Sequence, residues 1–508
     1  MDLRQPEERQ LDQNPRPPQG RYPVLGCYDR RGFLRAIGGA GLAAPSVLRS
    51  SATLLGPGAA LLQSGEAYSA RREPLIQPSE IRSQNGVLDA ALTAAPGTVQ
   101  LDEVTFPGSL YNNSYLPPLL RARTGDVMRI AFKNDLPDDP SNLHFHGMGV
   151  SPRGNSDNVF VHVHPGQEFK YEVKIPVRDR QGPGLFWYHP HAHGVVAKQM
   201  LGGMSGGIVI DGFEKYFSIL KDLPERFLFI KHFEHVDREI ISINGQVNPA
   251  VAIRPGEVQF WRIAHIGATL FIKFRVEGMP LYVVATDGHP LSLPQRMTEF
   301  FVGPGQRIDA IVIGPPAGEY PMRTIPFQNQ AWRAPDPAHQ IATIVSSGAQ
   351  APAQVKDAEI MRQRVQVARW IDEIRTAPIA RRRTLDYSRT DDRKIFMICG
   401  QVVDEDRIDQ TVKLGDTEEW TVVNMDQQYH SFHIHQTAFL VTEINGVPQN
   451  EDSLRDTFSV PPATDIGPSS LKVIIPFTDP VIVGRFVYHC HAVDHEDKGM
   501  MGVVEVIT

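Results

Sequence analysis

Three stretches of the chain repeat one pattern, and that repeat limits the fold more than any other feature. "RARTGDVMRIAFKN" (121–134), "VAIRPGEVQFWRIAH" (251–265) and "QTVKLGDTEEWTVVN" (410–424) each read as a short strand, a tight turn and a second alternating strand. The turn glycines are Gly125, Gly256 and Gly415. Their separations are those of successive β-sandwiches rather than of a solenoid. A second repeat follows in the first two copies, as "HPGQEFKYEV" and "GPGQRIDAIV". The reading is all-β, with sandwiches over residues 75–212, 213–346 and 393–508. The segment 347–392, with "VKDAEIMRQRVQVARWIDEIRTAPIARRR", reads as a helical, charged linker. A chain of 508 residues is long enough for several such domains.

Residues 1–70 read as a leader. "DRRGFLRAIGGAGLAAPSVL" places Arg30 and Arg31 before Phe33, Leu34 and a short, glycine-rich apolar run. That run is too short to span a bilayer as a helix. It resembles a twin-arginine signal, which implies export of the folded protein to the periplasm or medium with no membrane insertion afterwards. Net charge is −7 and the pI is about 6.2, so nucleic acid and anionic membrane surfaces are not expected partners. The mature chain is expected to act as a monomer. Of three cysteines, Cys27 lies in the leader and Cys399, in "IFMICGQ", reads as a buried strand residue.

The third, Cys490, has a different neighbourhood. "GLFWYHPH" (184–191) and "GRFVYHCH" (484–491) match at Gly, Phe, Tyr and both histidines, and "LHFHG" (143–147) is echoed by "FHIHQ" (432–436). The first and third sandwiches thus carry two matching His-x-His pairs each, and the second carries none of these motifs. Along a strand side chains alternate faces, so His489 and His491 point one way and Cys490 the other. Metals held on the two faces would be joined by a few covalent bonds. Such a path is useful only to redox metals, and zinc exchanges no electrons. Two His, one Cys thiolate and a weak Met thioether form a blue copper ligand set, here Cys490, His495, Met500 and His430.

With "HFHG", "HPHAHG", "HSFHIH" and "HCHAVDHEDKGM" in place, the mature chain resembles the three-domain multicopper oxidases, the laccase and cuprous-oxidase group. The resemblance implies three consecutive cupredoxin-like Greek-key sandwiches and four coppers. It implies a type 1 site of His430, Cys490, His495 and axial Met500, and a type 2 site of His144 and His433. The type 3 pair would use His146, His189, His191, His435, His489 and His491, at the junction of the first and third domains. Electrons from a small reducing substrate would enter at the type 1 copper, and dioxygen would be reduced to water at the cluster. Glu496 and Asp157 occupy the places of proton-handling carboxylates.

Other histidines are expected to lie outside the site. His193 reads as a supporting residue, His162 and His164 as part of a strand before a Pro-Gly turn, and His232 and His235 as loop residues. Trp187 and Tyr188 are expected to pack under the ligand loop. The exposed edge of His430 is the expected point of electron transfer from the donor, with Asp426 and Asp456 as nearby carboxylates. Laccase-like oxidation of phenols and aromatic amines is the leading function. A cuprous or other metal-ion oxidase is the alternative, disfavoured because the 13 Met form no dense cluster. A non-enzymatic cell-envelope relative would be expected to lose ligands, and a copper nitrite reductase would normally have two domains.

Overall fold

A computed structural model describes residues 72–177, 182–235, 239–352 and 355–508. The leader expected over residues 1–70 lies outside them. Among the described residues, no helix is long and apolar enough to cross a membrane. The described residues are mostly β and their strands form six sheets. Three of these have five strands, and those three repeat one topology.

In the first, Leu119–Arg123 runs parallel to Gly206–Asp211, which pairs antiparallel with Gly184–His189 and through it with His144–His146. In the last, Gln410–Lys413, Met501–Ile507, Gly484–Cys490 and His430–Ile434 follow the same order and directions. The middle sheet does likewise with Ala250–Ile253, Gln340–Ser346, Gly318–Thr324 and Ile272–Val276. Each of these sheets faces a second one across an apolar core, centred on residues such as Phe132, Trp261 and Trp420. The architecture is three cupredoxin-like β-sandwiches in succession. The repeated turns form as read: Gly125, Gly256 and Gly415 have φ of 91°, 73° and 97°, a backbone region that glycine enters without steric cost.

The stretch expected to be a helical linker over 347–392 ends earlier than that. Short helices Asp357–Ile360 and Ala368–Thr376 do form, and Ile371 and Ile374 of the second pack against Leu440, Leu454 and Ile474. The arginine-rich stretch that follows is instead the strand Ile379–Arg389, parallel to Thr417–Asn424 in the third sandwich. Charge obscured its period of two. Leu385 and Tyr387 alternate into the core, while Arg383 pairs with Glu418 at 2.6 Å. Cys399 is not in a strand either. It lies in the turn after Phe396–Ile398 with φ of 54°.

The sandwiches meet across apolar and polar seams. Leu119, Leu185 and Val209 of the first pack against Phe227, Phe229 and Ile266 of the second, joined by Val493 of the third. Asp497 accepts hydrogen bonds from the Gly194, Val196 and Ala197 amides, so a carboxylate from the third unit caps the helix Val196–Leu201 of the first.

Candidate metal centre

Pairing register brings the histidines together. His144 lies opposite His189, and His433 lies opposite His489, at equivalent places in the two sheets. Two edges of four imidazoles each then face one another where the first and third sandwiches meet. His144 stacks on His435 at 3.7 Å and His146 on His433 at 3.9 Å between ring centroids. His191 Nε2 is 3.3 Å from His489 Nε2, which is 3.2 Å from His435 Nε2. His491 Nε2 is 3.1 Å from His146 Nδ1. All eight rings are buried.

A second, smaller group lies on the other face of Gly484–Cys490. The Cys490 sulfur is 3.4 Å from His430 Nδ1 and 3.5 Å from His495 Nδ1, and those two nitrogens are 3.2 Å apart. Met500 is fully buried, and its carbonyl accepts from the Cys490 amide. The expected division of one strand into two faces is therefore realised.

The donor atoms suit metal. Nε2 of His144, His189 and His433 are buried without a hydrogen-bond partner, a costly state unless another ligand takes the lone pair. Their opposite nitrogens are anchored: His144 Nδ1 to Asp157 at 3.0 Å, His189 Nδ1 to the Pro190 carbonyl at 2.9 Å, and His433 Nδ1 to the Asp456 carbonyl at 2.8 Å. Such outer contacts fix the tautomer that leaves Nε2 free to ligate. Burial, then neighbouring imidazoles, hold His144 well below the usual histidine range. Burial brings His433 to about 3, and His191, His489 and His495 to about 4. Neutral imidazole is the ligating form. Burial pushes the Cys490 thiol up to about 12, so a cation beside it is what would hold the thiolate.

The chain matches family models for multicopper oxidase over residues 93–215, 187–349 and 377–508. The chain belongs to the multicopper oxidase family. Among curated relatives, the Multicopper oxidase mco of Staphylococcus aureus is 24% identical over 464 residues, covering 84% of this chain and 90% of that protein. The Laccase of Bacillus stratosphericus is 24% identical over 473 residues, covering 78% and 90%. A variant of the McoA multicopper oxidase of Aquifex aeolicus has a similar structure, with TM-score 0.72 and 21% identity over 86% of this chain and all of that one. The protein is thus a copper-dependent oxidase.

The oxidase contains supporting residues that its histidine motifs do not reveal. Arg307, from the middle sandwich, makes two 2.7 Å hydrogen bonds to Asp456 and donates to the Leu185 carbonyl at 3.1 Å. One side chain thereby ties all three units together behind the cluster. Burial works against ionisation of Asp456, but the Arg307 guanidinium holds its carboxyl below the usual range. Gly147, at φ 81°, lies against this pair, and a Cβ there would collide with both side chains. Gly305, at φ 90°, brings the middle sandwich up to His146 and His491, where a Cβ would come within 3.0 and 3.3 Å of their rings. The "GPGQR" repeat carried this signal, because Arg307 stands where the first copy has Glu168. Gln436 donates to Asp157 at 2.8 Å across the first and third units.

Several expectations change. Asp456 is not near the donor-facing site. It lies at the cluster, 3.1 Å from His146 Nε2. Asp426 is 3.4 Å from His430 Nε2. His430 has no exposed edge, with 0% relative accessibility, whereas His495 has 8%. Tyr387 and Phe396 pack edge-on against the His430 ring at 5.6 and 6.1 Å and its backbone pairs with Val460, while Phe396 stacks on His495 at 4.1 Å. His162 and His164 are not in a strand; His162 pairs with Glu405 at 3.1 Å, and His164 is exposed. His232 is a buried strand residue within 2.9 Å of Thr269 Oγ1, not a loop residue. His193, two residues after His191, is half-buried, and Trp187 stacks on His189 at 4.3 Å.

Proposed function

We propose that the oxidase is laccase-like, binds four coppers and couples one-electron oxidation of phenols or aromatic amines to reduction of dioxygen to water. Four phenols each lose one electron and one proton, and one dioxygen takes up all eight to give two waters. The observation that carries this reading is the two-sided strand Gly484–Cys490. The Cys490 sulfur lies between His430 and His495 on one face, and His489 and His491 continue it on the other.

Cys490, His430, His495 and Met500 would hold the type 1 copper. His144 and His433 would hold the type 2 copper. The type 3 pair would be held by His146, His189 and His491 together with His191, His435 and His489, the latter three having ligand atoms within 4.8 Å of one another. Bound copper supplies the one-electron redox chemistry and the reduction of dioxygen. The chain positions it and manages protons. Cys490 provides a covalent path of a few bonds to His489 and His491. His495 offers the rim nearest the solvent.

Glu496 has its Oε2 2.9 Å from His489 Nδ1 and its Oε1 3.6 Å from His191 Nδ1. Burial raises its pKa, which suits a group that holds a proton near the cluster and releases it. Asp157, pushed up to about 6 mainly by burial, holds the His144 ring and is the second proton-handling carboxylate.

The metal-ion alternative draws on Met425, a thioether 43% exposed beside Asp426. Oxygen uptake by the purified copper-loaded protein with a phenol, a bulky aromatic amine, Cu(I) and Fe(II) separates the readings. Aromatic turnover without added copper is expected, and turnover of metal ions alone would overturn the laccase-like assignment. Export by the twin-arginine route to the periplasm or medium, and action as a monomer, complete the reading.

A further inference from the structure

A loop of the middle sandwich lies against the approach to the Cys490 site. It joins the strands Gly318–Thr324 and Gln340–Ser346. The Ala331 amide donates to the Gln427 carbonyl at 2.9 Å, and the Tyr429 amide donates to the Asn329 carbonyl at 3.2 Å. The loop thus flanks the residues that lead into His430. It carries Trp332, half-buried, with the Arg393 guanidinium 3.7 Å and the Arg389 guanidinium 5.0 Å from its ring centroid.

Arg389 also donates through Nε to Asp426 Oδ1 at 2.8 Å, and Asp426 Oδ2 accepts from Gln428 at 2.7 Å while lying 3.4 Å from His430 Nε2. The carboxylate that touches the His430 ring is therefore already compensated, and its side chain is 2% exposed. Asp494, beside His495, is compensated in the same way by Lys498 at 3.1 Å. Arg393 is exposed and makes no ion pair among the described residues.

A metal cation needs oxygen or thioether donors whose charge is not already neutralised. An aromatic carboxylate or sulfonate needs the reverse, a ring to stack on and a guanidinium to pair with. We propose that Trp332 and Arg393 form a docking face for anionic aromatic donors, and that the Arg389–Asp426 pair beside it keeps metal cations from the same approach. This rests on the laccase-like reading and narrows it to phenols that bear a carboxylate or sulfonate.

Syringate and its methyl ester share one oxidisable ring and differ in charge, so their kinetics on the copper-loaded enzyme test the idea. Syringate should have the lower KM. Arg393→Ala should raise that KM roughly tenfold, the effect of losing one good ionic contact, with little change in kcat or in the ester. Arg393→Lys should restore part of the loss. Calorimetry with 3,4,5-trimethoxybenzoate, which cannot be oxidised at a phenol, should show the same ranking without turnover. In Arg389→Gln, the redox-inert cation Ag(I) should gain a binding site that Arg389→Gln with Asp426→Asn lacks.

Equal KM values for acid and ester, or an Arg393→Ala effect shared by both, would overturn the docking face while aromatic oxidation stood. Ag(I) binding unchanged by Arg389→Gln would overturn the exclusion of cations. Failure to oxidise either phenol would instead remove the laccase-like reading beneath both.

Discussion

The carboxylate of Glu496 lies 2.9 Å from Nδ1 of His489, and both side chains are fully buried. Glu496 follows His495 directly in the chain, so one short helix, Val493–Asp497, places a type 1 candidate ligand and a cluster carboxylate on opposite sides.

Replacing Glu496 with glutamine keeps the shape and removes the transferable proton. Reduction of the blue copper by donor without oxygen should proceed at the parental rate. Reoxidation by dioxygen should slow by about a hundredfold to ten-thousandfold, the range for loss of a proton-transfer group. Stopped-flow absorbance at the blue band reads both steps, and an unchanged reoxidation rate would remove Glu496 from proton transfer.

Cys490→Ser should abolish both the intense blue absorption and oxidase turnover, because colour and electron transfer share the same sulfur. A blue or active serine variant would show that Cys490 is not the type 1 ligand.

His491→Ala alters the other face of that strand. The blue colour should remain, oxygen consumption should stop, and the type 1 copper should stay reduced once donor is added. Oxygen uptake at the parental rate would contradict the division of the two faces.

Met500→Leu has similar volume and should disturb packing little. A thioether donates electron density that favours oxidised copper, so its loss should raise the type 1 potential while the site stays blue. Each rise of ~59 mV shifts this one-electron equilibrium tenfold toward the reduced site. A redox titration decides it. An unchanged potential in Met500→Leu together with a rise in Met501→Leu would move the axial role by one residue.

Arg307→Met tests the tie behind the cluster. It leaves Asp456 buried without its partner, which typically costs about 3–5 kcal/mol. Thermal unfolding should occur at a clearly lower temperature than in the parent, and Asp456→Asn added to Arg307→Met should recover part of the loss. A melting temperature equal to the parent's would show that the pair does not brace the three sandwiches.

The amino-acid sequence by itself determined the β architecture, the family and the histidine pairs. Those depend on local facts: alternation along a strand, a glycine where φ must be positive, and ligands one residue apart. Cys490 between His489 and His491 already required two faces of one strand. Position in space was another matter. Asp426 and Asp456 read as equivalent acids, yet one touches His430 and the other lies at the cluster held by Arg307. His430 read as the ligand with the exposed edge, and only packing decided that the His495 rim is the one near solvent. The strand Ile379–Arg389 was hidden by arginines whose partners, Glu418 and Glu419, lie on a neighbouring strand. In each case the deciding contact joins residues far apart in the chain, and local alternation carries no record of which distant surface a side chain will meet.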